Sequence, residues 1–444
     1  MFDRMYEKGS IIVEEGKTME ASLFLMRSGM VELKSNGSHG KTETFGPGGY
    51  FGEDQLLADV IRQKNGPFDP STTRIRYTVT ALEDTVVGVL TLSACRKIVD
   101  TKMLGKPQMS ILDSLVSRPI PMAELKKHKM LGAGTFGQVW LVSRNTSKGE
   151  QRAYALKIQS KYELVKAGQA KATVHEKEIM AQLHSPFTIN LVTTYKEEQF
   201  IYLLMDCIQG GELYAVIHTS KRDGVPENQA KFYAAGIFEA LWYMHRRGFV
   251  YRDLKPENVL IGSDGYPVLI DFGFAKYVPD KTYTLCGTPL YLAPEVITNR
   301  GHNHAADHWS FGVLLYELMS GYTPFYRSGM DQSDLFRSIL RARYHMSSKL
   351  SPDAADLVTK LLIKEPCLRF GSLVGGCSDI SQHRFFSSID IEKFRRKEIV
   401  APVIPKIQNL LDTTNFEDWS HLEDMTTKTF PPLTREDEAI FEKF

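Results

Sequence analysis

The sequence predicts an α+β fold in which a barrel of short β-hairpins precedes a small strand-rich lobe and a larger helical lobe. Three observations lead to this prediction. Short β-like runs separated by turn formers fill residues 1 to about 92, strands come first again from about residue 125, and long helical patterns follow them. Because the chain has 444 residues, more than one ordinary domain, we expect two or three domains.

The N-terminal part has the pattern of a hairpin-rich barrel or jelly roll. Its β-like runs are Ser10–Val13, Ser22–Met26, Met30–Lys34 and Thr78–Leu82. Turn formers such as Gly29 and Gly46-Pro47-Gly48-Gly49 separate them. From about 93 to 118, apolar residues recur at helical spacing and Pro107 divides them, which predicts linker helices. We therefore predict a first domain over residues 1–118.

The rest of the chain predicts a two-lobed domain over 125–386 and an irregular, proline-punctuated extension over 387–444. The predicted strands are Val139–Val142, Ala153–Ile158 and Ile201–Met205, and the predicted helices are Gln229–Arg247, Ala306–Ser320 and Ser351–Leu362.

Composition excludes several classes of function. Lys and Arg number 54 against 53 Asp and Glu, a net charge of +1, so no global field favours nucleic acid or an anionic membrane. The five cysteines have no metal-ligand spacing, and the chain shows no secretory signal. The longest apolar stretch, near Trp309 to Met319, is too short to span a bilayer. We expect a soluble cytoplasmic protein without a transmembrane segment or nucleic-acid partner.

Two short strings carry the strongest chemical signal. The first is Tyr251-Arg252-Asp253-Leu254-Lys255-Pro256-Glu257-Asn258, and Asp271-Phe272-Gly273 follows it. A phosphoryl-transfer site needs an aspartate that orients and deprotonates a hydroxyl, with an asparagine and a second aspartate that hold Mg²⁺ against ATP. Asp253, Asn258 and Asp271 have the right types and order for these roles.

A glycine-rich stretch and a lysine add to this signal. Gly132, Gly134 and Gly137, on a predicted hairpin, would let backbone N–H groups approach phosphate oxygens. Lys157 lies in an otherwise apolar strand, where an unpaired ammonium is costly, so it needs an anionic partner. Glu176, on a helix predicted from roughly 163 to 183, is one candidate and the ATP phosphates are another. A plain glycine-rich turn and a solvated helix-face glutamate are the alternatives.

Together these motifs resemble the eukaryotic protein kinases, and Tyr251 before Arg252-Asp253 resembles the group that contains the cyclic-nucleotide-dependent kinases. The resemblance implies a bilobal protein kinase fold with Asp253 as the catalytic base and Lys255 as a γ-phosphate contact. Asn258 and Asp271 would hold Mg²⁺. The implied adenine site, with Met205 as gatekeeper, comprises Leu131, Val139, Ala155, Met205, Asp206, Ile208 and Leu260. The resemblance also implies that Glu295 pairs with Arg369 and that Asp307 braces the catalytic loop.

The resemblance further implies substrates and a switch. Glu212, Glu257 and Glu317 fall where related kinases read arginines upstream of a Ser or Thr, which predicts protein substrates with basic motifs. Thr284 lies where relatives carry an activating phosphate, which Arg252 and Lys276 could bind after an upstream kinase had acted. Surface acids and an unmodified loop threonine are the alternatives.

The C-terminal extension resembles that of the same kinase group. Phe416 would lie over the nucleotide, and Phe441 and Phe444 would dock in a hydrophobic groove of the small lobe.

The string Gly46-Pro47-Gly48-Gly49-Tyr50-Phe51-Gly52-Glu53 resembles the β-barrel cyclic-nucleotide-binding domain. There a backbone amide and a glutamate bind the ribose 2′-hydroxyl, roles that fit Gly52 and Glu53. The family's phosphate-binding arginine aligns with Ile75, which is flanked by Arg74 and Arg76. Because side chains alternate along a strand, both arginines would point to the face opposite that of position 75 unless a bulge intervenes. Two alternatives stay open: binding of cGMP or cAMP as an allosteric ligand, or a degenerate barrel that acts as an inhibitory or docking surface.

A barrel fused directly to a kinase resembles the cGMP-dependent protein kinases. Relatives carry at least two barrels, whereas this chain begins almost on the first strand and lacks a pseudosubstrate before residue 119. Either inhibition uses barrel contacts alone or the chain is a shortened product of a longer gene. We predict a serine/threonine protein kinase that uses ATP and Mg²⁺. The rival is a cyclic-nucleotide receptor scaffold whose kinase lobe has lost activity.

Overall fold

The computed structural model describes residues 2–19, 22–34, 42–46, 50–52, 73–74, 77–91, 120–145, 149–219, 222–442 and 444. The chain divides into two compact units, Met1–Ser117 and Arg118–Phe444. The predicted linker helices of 93 to 118, Glu53, Ile75 and Arg76 lie outside the described residues.

The described residues of the first unit form two four-stranded antiparallel sheets and one two-stranded pair. Its strands are β1 (Phe2–Tyr6), β2 (Ile11–Val13), β3 (Thr18–Met19), β4 (Ser22–Ser28), β5 (Val31–Lys34), β6 (Thr42–Phe45), β7 (Tyr50–Phe51), β8 (Thr73–Arg74), β9 (Thr78–Ala81) and β10 (Thr85–Thr91). The sheet orders are β1-β10-β4-β7 and β2-β9-β5-β6, and β3 pairs with β8. The four predicted strand runs of this unit are confirmed.

Alternating apolar side chains form the core of this unit. Val79, Val87 and Val31 are fully buried, and the rings of Phe24 and Phe51 stack at 4.9 Å between centroids. Gly52 follows Phe51 with φ +95°, and an added Cβ would lie 2.2 Å from the carbonyl oxygen of Ser22. Only glycine fits this turn.

The second unit begins with a five-stranded antiparallel sheet in the order β11-β12-β13-β15-β14. These strands are β11 (Lys126–Gly134), β12 (Gly137–Asn145), β13 (Gln151–Ser160), β14 (Leu191–Lys196) and β15 (Phe200–Asp206). Helices α1 (Lys161–Lys166) and α2 (Ala170–Met180) lie between β13 and β14. The single helix predicted from 163 to 183 is therefore wrong. The chain ends α1 at Lys166, and Gly168 takes a left-handed φ of +68° that interrupts a helix.

A helical lobe follows the sheet. Its helices are α3 (Leu213–Ile217), α4 (Glu227–His245), α5 (Pro294–Ile297), α6 (Ala305–Ser320), α7 (Gln332–Arg341), α8 (Pro352–Leu361), α9 (Cys377–Ser381) and α10 (Ile391–Arg395). The last helix, α11 (Arg435–Ile440), packs against α2 of the small lobe. Three short strand pairs accompany the helices of this lobe among the described residues. Their strands are β16 (His218–Thr219) with β17 (Arg222–Asp223), β18 (Phe249–Val250) with β21 (Lys276–Tyr277), and β19 (Val259–Ile261) with β20 (Pro267–Leu269). Every residue of α6 is buried, which makes this helix the centre of the lobe.

The predicted α+β class and the strand-first order are confirmed by these elements. Among the described residues, no helix is long and apolar enough to cross a membrane.

Candidate active site

A buried carboxylate fixes the loop that carries the first string. Asp307, at the start of α6, is fully buried and accepts hydrogen bonds from the backbone N–H groups of Tyr251 and Arg252, both at 2.8 Å. Arg252 has a φ of +70°, a conformation that costs free energy for a non-glycine residue. The Asp307 contacts hold the loop in this shape, as the predicted bracing role requires.

Asp253 lies at the centre of a hydrogen-bonded array. Its Oδ2 accepts a bond from Asn258 Nδ2 at 2.8 Å and lies 3.0 Å from Lys255 Nζ. Its Oδ1 accepts a bond from Thr288 Oγ1 at 2.9 Å, and Lys255 Nζ donates to the same hydroxyl at 3.1 Å. The carboxylate is thus oriented by three neighbours and only 5% exposed. No sequence pattern indicated the contact of Thr288 with Asp253, because the two residues are 35 positions apart.

Lys157 and Glu176 form an ion pair between β13 and α2, with 2.7 Å between Nζ and Oε1. Burial alone would lower the pKa of Lys157, but the charges of Glu176 and Asp271 outweigh it and raise that pKa above its ordinary value. Lys157 therefore stays protonated beside Asp271. The structure brings together three residues that are far apart in the sequence.

Asp271 and Asn258 suit a magnesium ion. Asp271 has a left-handed φ of +59°, and the N–H of Gly273 donates to its Oδ1 at 3.1 Å. Asn258 uses its Nδ2 group to bond the backbone oxygen and Oδ2 of Asp253, so the acceptor end of its amide is Oδ1. A carboxylate and an amide oxygen are ligands that Mg²⁺ prefers.

The glycine-rich stretch is a tight hairpin, as predicted. Gly134 pairs with Gly137 across β11 and β12 and closes a two-residue turn. At Gly132 and Gly134 an added Cβ would meet no atom within 4 Å, whereas at Gly137 it would lie 2.2 Å from the carbonyl oxygen of Ile158. Packing therefore requires glycine at position 137. At Gly132 and Gly134 no neighbouring atom requires glycine, and the missing side chain leaves the backbone accessible.

The predicted adenine residues lie on the same sheet and on the opposite lobe. Val139 is opposite Lys157 in the β12–β13 register, and Ala155 is opposite Met205 in the β13–β15 register. Asp206 ends β15, Ile208 follows it, and Leu260 lies on β19 of the helical lobe. Their contact with a nucleotide stays a prediction.

The three predicted substrate-reading acids differ in exposure. Glu212 and Glu257 are exposed, whereas Glu317 is 5% exposed and accepts hydrogen bonds from the Tyr291 hydroxyl and from His218 Nε2. Burial and the nearby charge of Glu257 raise the pKa of Glu212. Burial raises the pKa of Glu317 as well, and Glu257 adds to it. The charge of Glu257 thus acts on both of the other carboxylates.

The segment that contains Thr284 is anchored at its far end. Arg369 is fully buried and binds both carboxylate oxygens of Glu295 at 2.7 and 3.0 Å, which confirms the predicted pair. Thr284 itself is exposed. Lys276 Nζ donates to Thr282 Oγ1 at 3.1 Å, while Nη1 of Arg252 is buried and has no hydrogen-bond partner within the part of the chain that the structure describes.

The C-terminal extension contacts the small lobe, as predicted for Phe441 and Phe444. Phe441 is fully buried with Leu164, Ala170 and Ile201, and Phe444 packs against this cluster. Glu438 forms an ion pair with the buried Lys161 at 2.5 Å. Earlier in the extension, Gln209 Nε2 donates to the backbone oxygen of Asp412 at 3.1 Å. The position of Phe416 over a nucleotide stays a prediction.

We expect the double variant Phe441→Ala/Phe444→Ala to lose about 3–5 kcal/mol of stability and to phosphorylate a peptide more slowly. The reason is that these rings pack against α1 and the start of α2, the helix that carries Glu176. Chemical denaturation and steady-state kcat measure the two effects. Leu410→Ala, at an exposed position of the extension, is the control. An unchanged kcat and melting temperature would contradict the prediction.

Comparison with known proteins agrees with this geometry. The family profile described as "Protein kinase domain" matches residues 125–386, and that described as "Cyclic nucleotide-binding domain" matches residues 3–102. The kinase match covers more than half of the chain, so the protein belongs to the protein kinase family. The predicted class, an ATP- and Mg²⁺-dependent protein kinase with an N-terminal cyclic-nucleotide-binding domain, is thereby confirmed.

Several curated proteins are similar to the chain. It is 40% identical over 316 residues to "cAMP-dependent protein kinase type 3" of Saccharomyces cerevisiae, covering 71% of this chain and 77% of that protein. It is 36% identical over 360 residues to "cAMP-dependent protein kinase catalytic subunit PRKX" of Homo sapiens, covering 79% and 96%. It is 34% identical over 439 residues to "cGMP-dependent protein kinase" of Toxoplasma gondii, covering 99% and 41%. The chain thus spans less than half the length of the cGMP-dependent relative.

Proposed function

We propose that this protein transfers the γ-phosphate of ATP to serine or threonine hydroxyls in basic protein segments, and that a cyclic nucleotide bound to the N-terminal domain regulates the transfer. The hydrogen-bonded array around Asp253 is the observation that carries the proposal. We assign the nucleotide-binding domain to 1–118, the kinase domain to 125–386 and the extension to 387–444.

Each residue of the array has a proposed task. Asp253 orients the acceptor hydroxyl and takes its proton, and Lys255 stabilises the charge of the transferred phosphoryl group. Lys157, held by Glu176, binds the α- and β-phosphates. Asn258 and Asp271 hold Mg²⁺, which neutralises phosphate charge when bound. Thr288 adds a hydroxyl that fixes Oδ1 of Asp253 and the ammonium of Lys255 together.

The acidic neighbourhood supports a preference for arginine upstream of the acceptor. Glu212 and Glu257 are exposed, and the charge of Glu257 adds to burial in raising the pKa of Glu212. A substrate guanidinium would relieve this repulsion with charge-assisted hydrogen bonds. Glu317 is buried, and the Tyr291 hydroxyl and His218 Nε2 contact its two carboxylate oxygens, so the proposed recognition rests on the exposed Glu212 and Glu257.

We expect Glu212→Gln/Glu257→Gln to raise the KM for a peptide with upstream arginines by about 10- to 100-fold, because hydrogen bonds to charged groups contribute about 1.5–3 kcal/mol. Steady-state kinetics with an arginine peptide and its alanine counterpart measure this change. Glu365→Gln, at an exposed site, is the control. An equal KM in the double variant and the control would rule out the proposed recognition.

Two regulatory steps complete the proposal. Phosphorylation of exposed Thr284 by an upstream kinase would offer oxygen acceptors to the unpartnered Nη1 of Arg252. The N-terminal barrel supplies the tight Gly52 turn for a cyclic nucleotide, while Glu53 and Arg76 lie outside the described residues and the side chain of Arg74 is likewise undescribed. We also place the protein in the cytoplasm, a reducing compartment that suits the free thiols of Cys207, Cys286, Cys367 and Cys377.

A peptide-phosphorylation assay with and without cGMP or cAMP tests the regulatory part. Stimulated transfer supports the nucleotide-sensing barrel. Full activity without either nucleotide would favour a degenerate barrel, and absence of transfer under all conditions would favour the scaffold alternative.

A further inference from the structure

A cluster of imidazole and thiol groups lies below the catalytic loop. His245 is the last residue of α4, His308 lies in the first turn of α6, and Cys377 begins α9. One ligand atom from each of these residues lies within 4.8 Å of the other two. The Sγ atom of Cys377 is 3.7 Å from His308 Nε2, and the two imidazole centroids are 5.1 Å apart. Three distant parts of the sequence therefore bring metal-ligand groups to one place.

His245 has an unused polar atom, because its Nδ1 is buried and has no hydrogen-bond partner among the described residues. Nδ1 of His308 is also buried without such a partner, but it lies against Gly371 and is not a ligand in the arrangement proposed below. Such atoms are rare in folded proteins because an unsatisfied buried polar group costs free energy. His308 is completely buried, and its ring lies against Gly371, where an added Cβ would approach the ring to 2.2 Å. The His308 ring therefore occupies the space that a side chain at position 371 would need.

The contact between His245 and Asp307 resembles one that is common around metal-binding histidines. Nε2 of His245 lies 2.7 Å from Oδ2 of Asp307, a carboxylate that only accepts, so Nε2 is the donor in this contact and Nδ1 is the nitrogen left for another partner. Metal-binding histidines commonly donate their other N–H to a carboxylate, which fixes the ring and makes the ligand nitrogen more basic.

We propose that His245, His308 and Cys377 bind a transition-metal dication of the Zn²⁺ class, through Nδ1 of His245, Nε2 of His308 and Sγ of Cys377. Two nitrogens and one thiolate are a zinc-type ligand set, which would leave the fourth tetrahedral position to a water. Zn–N and Zn–S bonds of about 2.0–2.3 Å require ligand atoms roughly 3.5 Å apart. One ligand atom of each residue lies within 4.8 Å of the other two, so the side chains would have to close by up to about 1.3 Å.

The site is connected to catalysis through one carboxylate. Asp307 contacts His245 with Oδ2 and holds the N–H groups of Tyr251 and Arg252 with its two oxygens. A cation on Nδ1 makes the Nε2–H of His245 a stronger donor to Asp307. Metal occupancy is thus coupled to the carboxylate that positions the catalytic loop.

Cobalt substitution tests the site without any measurement of kinase activity. The full chain, stripped with a chelator and kept in excess Mg²⁺ so that Asn258 and Asp271 are occupied, is titrated with Co²⁺. We expect one equivalent to bind with tetrahedral d–d bands and a thiolate-to-cobalt charge-transfer band. Cys377→Ser is expected to abolish the charge-transfer band and to weaken binding at least about tenfold.

Cys367→Ser is the matched control, because Cys367 is an exposed cysteine outside the cluster. It is expected to keep both the charge-transfer band and the affinity. Circular dichroism and melting of metal-free Cys377→Ser check that this variant folds. Absence of the charge-transfer band from the wild-type protein, or its survival in Cys377→Ser, would overturn the proposal.

Discussion

Replacement of Arg369 by methionine is expected to lower the free energy of unfolding of the kinase unit by about 3–5 kcal/mol, because loss of one partner leaves a buried charge uncompensated. The Arg369 guanidinium is fully buried and makes two hydrogen bonds to Glu295. It also donates to the backbone oxygens of Ala305, Ile363 and Lys364 at 2.6, 3.0 and 3.3 Å. The variant leaves the Glu295 carboxylate and three backbone carbonyl groups without the hydrogen-bond donors of Arg369.

Urea denaturation followed by tryptophan fluorescence measures this loss, since the ring centroid of Trp309 lies 5.2 Å from Cζ of Arg369. The control is Arg396→Met, whose ion pair with Glu398 is exposed, and we expect its midpoint to match the wild type. The double variant Glu295→Leu/Arg369→Met is expected to recover part of the loss, because no charge remains unpaired. A single Arg369→Met variant as stable as Arg396→Met would contradict this assignment.

The chemistry of the site could be predicted from the sequence because its key residues lie in short strings. Asp253 and Asn258 are five positions apart, and Asp271-Phe272-Gly273 is contiguous. The apolar strand around Lys157 showed that its ammonium needs an anionic partner, with Glu176 as one candidate. The pair Glu295–Arg369 required a resemblance to a family, since nothing local in the sequence joins these two residues. Both pairs are present in the structure.

Other features depended on packing that no local pattern records. The helix predicted from 163 to 183 is interrupted because Gly168 takes a left-handed conformation, although apolar residues on both sides keep a helical spacing. Thr288 joins Asp253 and Lys255 only after the chain has folded back. Glu317 is predicted from the resemblance to read a substrate arginine, but the Tyr291 hydroxyl and His218 contact it in a buried position that the sequence does not indicate. The histidine and cysteine cluster has no sequence spacing that predicts it.

Asp253→Asn is expected to slow phosphoryl transfer by about 10²- to 10⁴-fold, the usual contribution of general acid–base catalysis. The substitution keeps the size of the side chain and the Thr288 hydrogen bond to one oxygen. The amide cannot accept the proton of the acceptor hydroxyl, and its NH₂ group would face the donors of Asn258 and Lys255. ATP binding is expected to change little, because Lys157, Glu176 and the glycine-rich hairpin are untouched. Asp264→Asn, which removes an exposed carboxylate paired with Lys397, is the matched control.

The most direct test is the single-turnover rate at which labelled γ-phosphate moves from saturating MgATP to a basic serine peptide. We expect rapid transfer to the serine hydroxyl by the wild-type protein and by Asp264→Asn, and a rate at least about 100-fold lower for Asp253→Asn. Transfer by Asp253→Asn at the wild-type rate would contradict the assignment of this carboxylate as the base, and with it the proposed mechanism.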